Sequence, residues 1–152
     1  GARLVIVGRG RMKKKMRRTA KRLAIDQAGK IRSGMSFNDL AQLFRTADLV
    51  AYPSYYEGQG LIPLEAMASG TPVVTVDHGP LPEMVDETVG RLYTLGKVES
   101  LAQAIIAELQ SSETMSSKAK AGRERVLSRF TFDHNADDFA EIYRTAISAK
   151  TD

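Results

Sequence analysis

Short apolar runs alternate along the chain with longer segments in which apolar residues recur every three or four positions. The first pattern is typical of strands buried on both faces of a parallel sheet, and the second predicts amphipathic helices. Such runs predict strands at residues 4–7, 49–52 and 72–76, and a weaker pattern predicts a strand at 30–33 and an edge strand at 90–93. Helices are predicted at about residues 12–24, 36–47, 60–69, 83–85, 101–109 and 133–149, and a polar segment ending at Phe130 separates the last two.

This alternation of strands and helices determines the predicted fold class. Parallel neighbours need crossover connections, which are usually helical and right-handed. We therefore predict an α/β fold with a doubly wound parallel sheet, and residues 1–152 are predicted to form a single domain without an internal linker. Ligands of such sheets bind beyond the carboxyl ends of the strands, so each loop that follows a strand is a candidate site.

Composition narrows the class of protein further. The chain has 152 residues, of which 43% are hydrophobic and 26% charged, values that disfavour disordered, collagen-like and coiled-coil chains. It has no cysteine, which excludes disulfides, thiolate metal sites and cysteine nucleophiles. No apolar run approaches the ~18 residues of a membrane span, and the first apolar run is expected to be a core strand rather than part of a signal peptide. The expected compartment is the cytoplasm.

Basic residues are concentrated near the start of the chain. Residues 1–32 contain 12 lysines and arginines against the single acidic residue Asp26. Most of them crowd the first predicted helix, between Arg9 and Arg22. A solvated helix face is the favoured interpretation. The alternative is attraction of a phosphate ligand or of an anionic membrane surface, at which the protein would be peripheral; nucleic acid is not an expected partner.

The loop from Gly8 to Gly10 follows the first strand and is the first candidate site. Its backbone amides could approach a phosphate group, but the third glycine of the dinucleotide fingerprint is absent. Asp26 does not clearly end a second strand, as the acidic residue of that fingerprint does. A tight turn is therefore favoured over a nicotinamide-cofactor site.

The segment from Pro53 to Gly70 carries the strongest candidate site. Amides of Gly58, Gln59, Gly60 and Leu61 could point at an anion or at sugar hydroxyls near a helix N-terminus. Glu57 and Glu65 flank this cradle, and a carboxylate can accept hydrogen bonds from two vicinal hydroxyls of a sugar or ribose. The alternative for Glu65 is a structural role, in which an acidic residue of the first helical turn caps free amides.

The remaining polar candidates are weaker. His78 follows a predicted strand but has no second histidine or carboxylate at metal-ligand spacing, so no metal site is expected. His134 is predicted to lie at a helix start. Ser54 has neither an evident acid–base partner nor a nucleophile-elbow context, which argues against hydrolase chemistry.

Residues 53–74 resemble a family signature. They follow the pattern P-S-x-x-E-G-x-G-L-x-x-L-E-A-M-A-x-G-x-P-V-V, with seven residues between its two glutamates. This is similar to the signature of the retaining group 1 (family 4) glycosyltransferases, which have the GT-B fold. Residues 4–10, 31–34, 81–90 and 130–143 also resemble segments of that family. The resemblance covers almost the whole chain.

The resemblance implies that the chain is part of a Rossmann-like C-terminal domain that binds a nucleotide-diphosphate sugar as donor substrate, with no other cofactor. An N-terminal domain, absent from these residues, would bind the acceptor. Glu65 would hold the ribose hydroxyls, and Glu57 would be a catalytic residue near the donor sugar. The other expected donor-binding residues are Gly8, Gly10, Arg32, Gly34, Met35, Gly58, Gln59, Gly60 and Leu61.

Departures from the family pattern leave alternatives open. Gln59 stands where an aromatic residue is common, and His78-Gly79-Pro80 replaces a pair of glycines. The chain would begin at the second strand of the donor domain, so the family's diphosphate-binding Arg and Lys would be missing and the chain alone is expected to be inactive. The expected function is transfer of a hexosyl group to a glycan, lipid or small-molecule acceptor. The alternatives are a GT-B sugar-nucleotide epimerase, a non-catalytic nucleotide-sugar-binding module, and a module that binds membranes or nucleic acid.

Overall fold

The computed structural model of the protein describes residues 1–149. Within them the strands are β1 (Leu4–Val7), β2 (Gly29–Arg32), β3 (Val50–Tyr52), β4 (Val73–Val76) and β5 (Gly90–Tyr93). The helices are α1 (Lys13–Arg22), α2 (Phe37–Thr46), α3 (Leu61–Ala68), α4 (Leu81–Met84), α5 (Val98–Gln110), α6 (Ser112–Arg129) and α7 (Phe132–Ser148). The chain divides into two compact units, Gly1–Leu40 and Ala41–Asp152.

The first unit contains a parallel pair of strands joined by a helical crossover. β1 pairs with β2 in a register that places Val7 opposite Arg32, and the Gly8 amide donates to the Arg32 carbonyl at 3.1 Å. Sequence reasoning correctly predicted the strand at residues 4–7 but wrongly predicted that it is buried on both faces. Leu4 is 54% exposed, because β2 is its one strand neighbour among residues 1–149 and α1 has no buried residue to cover it.

The second unit is built on a three-stranded parallel sheet in the order β3-β4-β5. All four residues of the central strand β4 are buried, as expected for the β-branched run Val-Val-Thr-Val in the middle of a parallel sheet. One core cluster contains Val74, Val76, Leu81, Tyr93 and Ala104, which brings β4, β5, α4 and α5 together. On α6, a Cβ at Gly122 would lie only 3.2 Å from the Met67 side chain of α3, so glycine allows these two helices to pack closely.

The α/β class with parallel strands is confirmed, but the strands form two hydrogen-bonded sheets rather than one. A second difference is the polar segment before Phe130, which forms α6, an 18-residue helix. One of its buried positions is Lys118. A lysine on the buried face interrupts the repeat of apolar residues by which an amphipathic helix is recognised in a sequence. The helix start at Ser36 is confirmed, since the Ser36 hydroxyl accepts from the Asp39 amide at 3.1 Å.

A buried ion cluster joins α5, α6 and β5. Glu108 is 0% exposed, and the Lys118 Nζ lies 2.8 Å from its Oε1 and 2.9 Å from its Oε2. Lys118 also donates to the Gly90 carbonyl at 3.1 Å, and the Arg91 Nε lies 3.3 Å from the Glu108 Oε2. Removing two charges from water is costly unless each is paired, so these contacts are needed to keep Glu108 buried.

Asp86 joins the loop after α4 to α6. Its Oδ1 accepts from the Thr88 hydroxyl at 2.6 Å, and its Oδ2 lies 2.9 Å from an Arg125 guanidinium nitrogen. Burial alone would raise the pKa of Asp86, but the hydrogen bonds from Thr88 and Arg125 outweigh burial and lower that pKa to about 2. Because the folded state favours ionised Asp86, this carboxylate stabilises the fold above the pKa of the unfolded chain.

We therefore expect Asp86→Asn to lower the free energy of unfolding at pH 7 by about 1 kcal/mol, a small value because the Asp86 side chain is half exposed. The parent should lose the same contribution as the pH falls from 3.8 to about 2, where Asp86 becomes protonated in the folded state. Denaturant unfolding between pH 7 and pH 2 tests this, and the two proteins should converge at the acidic end. A difference that stays constant over this range would contradict the assignment.

No helix among residues 1–149 is both long enough and apolar enough to cross a membrane.

Candidate functional site

The loop between β3 and α3 forms the centre of the candidate site. β3 ends at Tyr52, Pro53 follows, and α3 begins at Leu61 directly after Gly60. Gly60 adopts the left-handed backbone conformation with φ of 86°, and a Cβ there would lie 2.6 Å from the Leu81 Cδ2. The backbone conformation therefore favours glycine at this helix start, and any larger residue would also have to displace the Leu81 side chain.

Glu57 is fixed within this loop by hydrogen bonds. Its Oε1 accepts from the Ser54 hydroxyl at 2.7 Å and from the Tyr52 hydroxyl. The hydrogen bonds from Tyr52 and Ser54 lower the pKa of Glu57, and the backbone of Gly60 contributes in the same direction. The carboxylate is therefore held ionised in one orientation. The structure also corrects the prediction for Ser54, which has a carboxylate partner.

Tyr52 is a member of this network that sequence reasoning missed. Burial raises the pKa of Tyr52 to about 12, helped by the hydrogen bond to Glu57. The tyrosine thus remains a protonated donor at neutral pH. The only signal in the sequence is a tyrosine five residues before Glu57, at a strand position where apolar residues are the rule.

Glu65 lies in the second turn of α3 and is half-buried. No acidic residue occupies the first turn of this helix, which rules out the alternative in which Glu65 caps free amides of that turn. Among residues 1–149 its carboxylate makes no hydrogen bond or ion pair. This carboxylate is therefore left available to a ligand.

A cleft of about 170 Å³ opens beside Glu57. The aromatic side chains of Tyr55 and Tyr56 contribute to its wall, and Tyr56 is 90% exposed. The full lining consists of Ser54, Tyr55, Tyr56, Glu57, Val76, His78, Gly79 and Leu81. The cleft thus combines polar groups with exposed rings, which suits a ligand that has both hydroxyl groups and C–H faces.

The structure places the predicted site residues in two groups. Glu57, Glu65 and the 58–61 backbone belong to the second unit, around the start of α3. The remaining predicted residues belong to the first unit: Gly8, Gly10, Arg32, Gly34 and Met35. They lie at or just after the carboxyl ends of the paired strands β1 and β2.

The two histidines differ in setting. His78 lines the cleft beside Glu57, on the loop after β4. His134 lies in the first turn of α7, where its amide donates to the Thr131 hydroxyl at 3.3 Å, so its predicted position at a helix start is confirmed. Within residues 1–149, no group of three histidine or acidic side chains gathers at distances suited to a metal ion.

Comparison with known proteins identifies the family. Residues 1–125 match the model of the family described as glycosyl transferases group 1. The chain belongs to the group 1 glycosyltransferases. It is 36% identical over 128 residues to the D-inositol 3-phosphate glycosyltransferase of Saccharomonospora viridis, a match that covers 84% of this chain and 30% of that protein.

Solved structures agree with this group 1 glycosyltransferase assignment. The sucrose-phosphate synthase of Thermosynechococcus elongatus superposes with a TM-score of 0.85 and 29% identity over 97% of this chain and 39% of that one. The Anabaena protein Alr3699/HepE in complex with UDP-glucose superposes with a TM-score of 0.81 and 27% identity. That match covers 93% of this chain and 40% of the Anabaena chain. These matches confirm the Rossmann-like α/β fold of a GT-B protein. The chain spans about a third of the length of the curated relatives it matches.

Proposed function

We propose that this chain is the donor-binding portion of a retaining glycosyltransferase that takes a nucleotide-diphosphate hexose as donor substrate. The observation that carries the proposal is the pair of carboxylates at the start of α3. Glu57 is fixed and ionised, whereas Glu65 is half-buried and has no partner among residues 1–149. A polyol between them would satisfy Glu65 and use the orientation of Glu57.

Glu65 would accept hydrogen bonds from the ribose hydroxyls, and Glu57 would contact the donor hexose as the catalytic carboxylate. Gly58, Gln59, Gly60 and Leu61 would approach the sugar and diphosphate through their backbone. The helix N-terminus favours negative charge there and would stabilise the leaving diphosphate as the glycosidic bond breaks.

The first unit enters the proposal through the family resemblance. That resemblance implies donor-binding roles for Gly8, Gly10, Arg32, Gly34 and Met35. Acceptor binding is assigned to residues outside these 152, consistent with the share of the relatives that the chain spans. The nucleotide sugar would enter as the donor substrate, and the proposal includes no other cofactor.

A binding panel tests this function. The protein is titrated with UDP-glucose, GDP-mannose and ADP-glucose by ligand-observed NMR, with UDP, GDP and ADP as competitors. We expect one sugar nucleotide to bind and its own nucleoside diphosphate to displace it. Failure of all three to bind a folded sample would contradict the proposal. With an acceptor present, a retaining mechanism predicts that the sugar in the product has the same anomeric configuration as in the donor.

The basic helix α1 supports a separate proposal, that its lysines and arginines attract anions without a specific site. Its residues are exposed or half-buried, and none is fully buried. We expect Lys14→Glu combined with Lys15→Glu to weaken binding to phosphatidylserine vesicles by at least about 30-fold at low salt. Above about 0.3 M salt the two proteins should bind alike, since screening removes the attraction.

The matched control for α1 is Lys97→Glu combined with Lys120→Glu, which makes the same change of charge elsewhere. This control should bind vesicles nearly as the parent does. A loss for the α1 variant that is equally large at high salt would contradict diffuse attraction, and so would an equal loss for both variants.

A further inference from the structure

The two oxygens of Glu57 have different surroundings. Both side-chain hydrogen bonds, from Tyr52 and from Ser54, end on Oε1. Oε2 accepts no hydrogen bond from a side chain within residues 1–149. The Gly60 backbone also hydrogen-bonds the carboxylate, so Oε2 is the oxygen of this cleft residue that no side chain occupies and that a ligand hydroxyl can still reach.

Tyr52 contacts this carboxylate without being part of the cleft lining. It is the last residue of β3, lies opposite Thr75 of β4, and is absent from the cleft lining. The Thr75 hydroxyl donates to the Tyr52 carbonyl at 3.1 Å, which adds a side-chain contact to the strand pairing at this position. The phenol is therefore anchored by the sheet, whereas Glu57 itself lies in a loop.

We infer that Tyr52 is a positioning residue of the donor site: its hydroxyl holds the Glu57 Oε1 so that Oε2 faces the cleft and can accept a hydroxyl of the donor hexose. This inference rests on the proposed function. A phenol fixed by a strand restricts the carboxylate before the ligand arrives, so less conformational freedom is lost on binding. Tyr52 acts on the ligand only through Glu57.

The raised pKa of Tyr52 and the lowered pKa of Glu57 agree with this arrangement. Without the phenol, Glu57 would keep Ser54 as a side-chain donor but lose the hydrogen bond that contributes most to its lowered pKa. Its protonation would therefore begin at a higher pH. The other titratable groups that line the cleft are Tyr55, Tyr56 and His78.

The test is Tyr52→Phe, which removes one hydroxyl and keeps the ring in the sheet. Dissociation constants are measured for UDP-glucose and UDP, or for GDP-mannose and GDP or ADP-glucose and ADP if that pair binds the parent. We expect the sugar nucleotide to bind about 5- to 10-fold more weakly and the nucleoside diphosphate to bind as in the parent. Tyr143→Phe, which removes the hydroxyl of an exposed tyrosine on α7, should change neither constant.

The pH dependence supplies a second readout that simple loss of packing would not change. Affinity of Tyr52→Phe for the sugar nucleotide should begin to fall at a higher pH than that of the parent as the solution is acidified. The same comparison is repeated after His78→Asn has been added to both proteins. The histidine in the cleft then cannot contribute to the difference between their pH profiles.

Each result supports or overturns the inference. An equal loss of affinity for nucleotide and sugar nucleotide would show a structural role and overturn it, as would unchanged affinity for both with an unshifted pH profile. If the parent binds none of the three sugar nucleotides, the proposed function fails and the role of Tyr52 fails with it. Failure of Tyr52→Phe alone leaves donor binding by the parent intact, so the two failures are distinguishable.

Discussion

Glu65→Gln should bind the sugar nucleotide roughly 10- to 150-fold more weakly than the parent. Glutamine keeps the volume of the side chain but replaces a charged acceptor of two ribose hydroxyls by an amide with a single oxygen. Hydrogen bonds to charged groups contribute about 1.5 to 3 kcal/mol, which corresponds to that range of affinity. Isothermal titration of parent and variant with the sugar nucleotide that binds the parent measures the effect.

The stability of Glu65→Gln separates ligand binding from a structural role. The carboxylate has no partner among residues 1–149, so the thermal unfolding midpoint of the unliganded variant should equal or exceed that of the parent. Glu99→Gln, at an exposed position in the first turn of α5, is the matched control and should leave donor affinity unchanged. Unaltered affinity of Glu65→Gln beside a lowered midpoint would contradict the ribose assignment.

Lys118→Met should give the largest loss of stability. It removes the ammonium group from a carboxylate that is 0% exposed, and breaking a buried pair on one side costs about 3 to 5 kcal/mol. The Arg91 Nε, 3.3 Å from the Glu108 Oε2, remains and offsets part of the loss, so we expect a value near the lower end. Denaturant unfolding at pH 7 measures the change.

Two further variants give this experiment its controls. Lys120 lies on α6 two residues after Lys118, and its side chain is 79% exposed. Lys120→Met should therefore change the free energy of unfolding by less than about 0.5 kcal/mol. Adding Glu108→Leu to Lys118→Met should restore much of the lost stability, because no unpaired buried carboxylate remains. A loss below about 1 kcal/mol for Lys118→Met would contradict the buried cluster, because removing one partner of such a pair costs more.

Most of the secondary structure could be predicted from the sequence because apolar runs and local capping groups are encoded by neighbouring residues. The buried strand at 73–76 and the helix start at Ser36 both follow from such local patterns. Which strands pair is a long-range property, so the division into two sheets could not be predicted. Nor could the helix at 112–129, whose buried face includes a lysine paired with Glu108 from another helix.

The candidate site could be predicted in part for a similar reason. The glycine-rich helix start and its two glutamates lie within one short segment, so their spacing alone suggests the arrangement. The spacing does not tell which glutamate is held by protein groups and which is left without a partner. That depends on Tyr52 and Ser54 folding back onto Glu57, and on Glu65 lying in the second rather than the first turn of α3.

The most direct test of the central claim pairs Glu65 with the ribose hydroxyls in one thermodynamic cycle. Dissociation constants of parent and Glu65→Gln are measured for the sugar nucleotide and for its analogue that lacks the ribose 2′- and 3′-hydroxyls. If Glu65 holds the ribose, removing the two hydroxyls lowers the affinity of the parent roughly 10- to 150-fold. The affinity of Glu65→Gln, already lowered by the substitution, should then fall little further when the hydroxyls are removed. Equal losses in both proteins would show that Glu65 and the ribose do not interact, and would contradict the assignment of this site as the donor site.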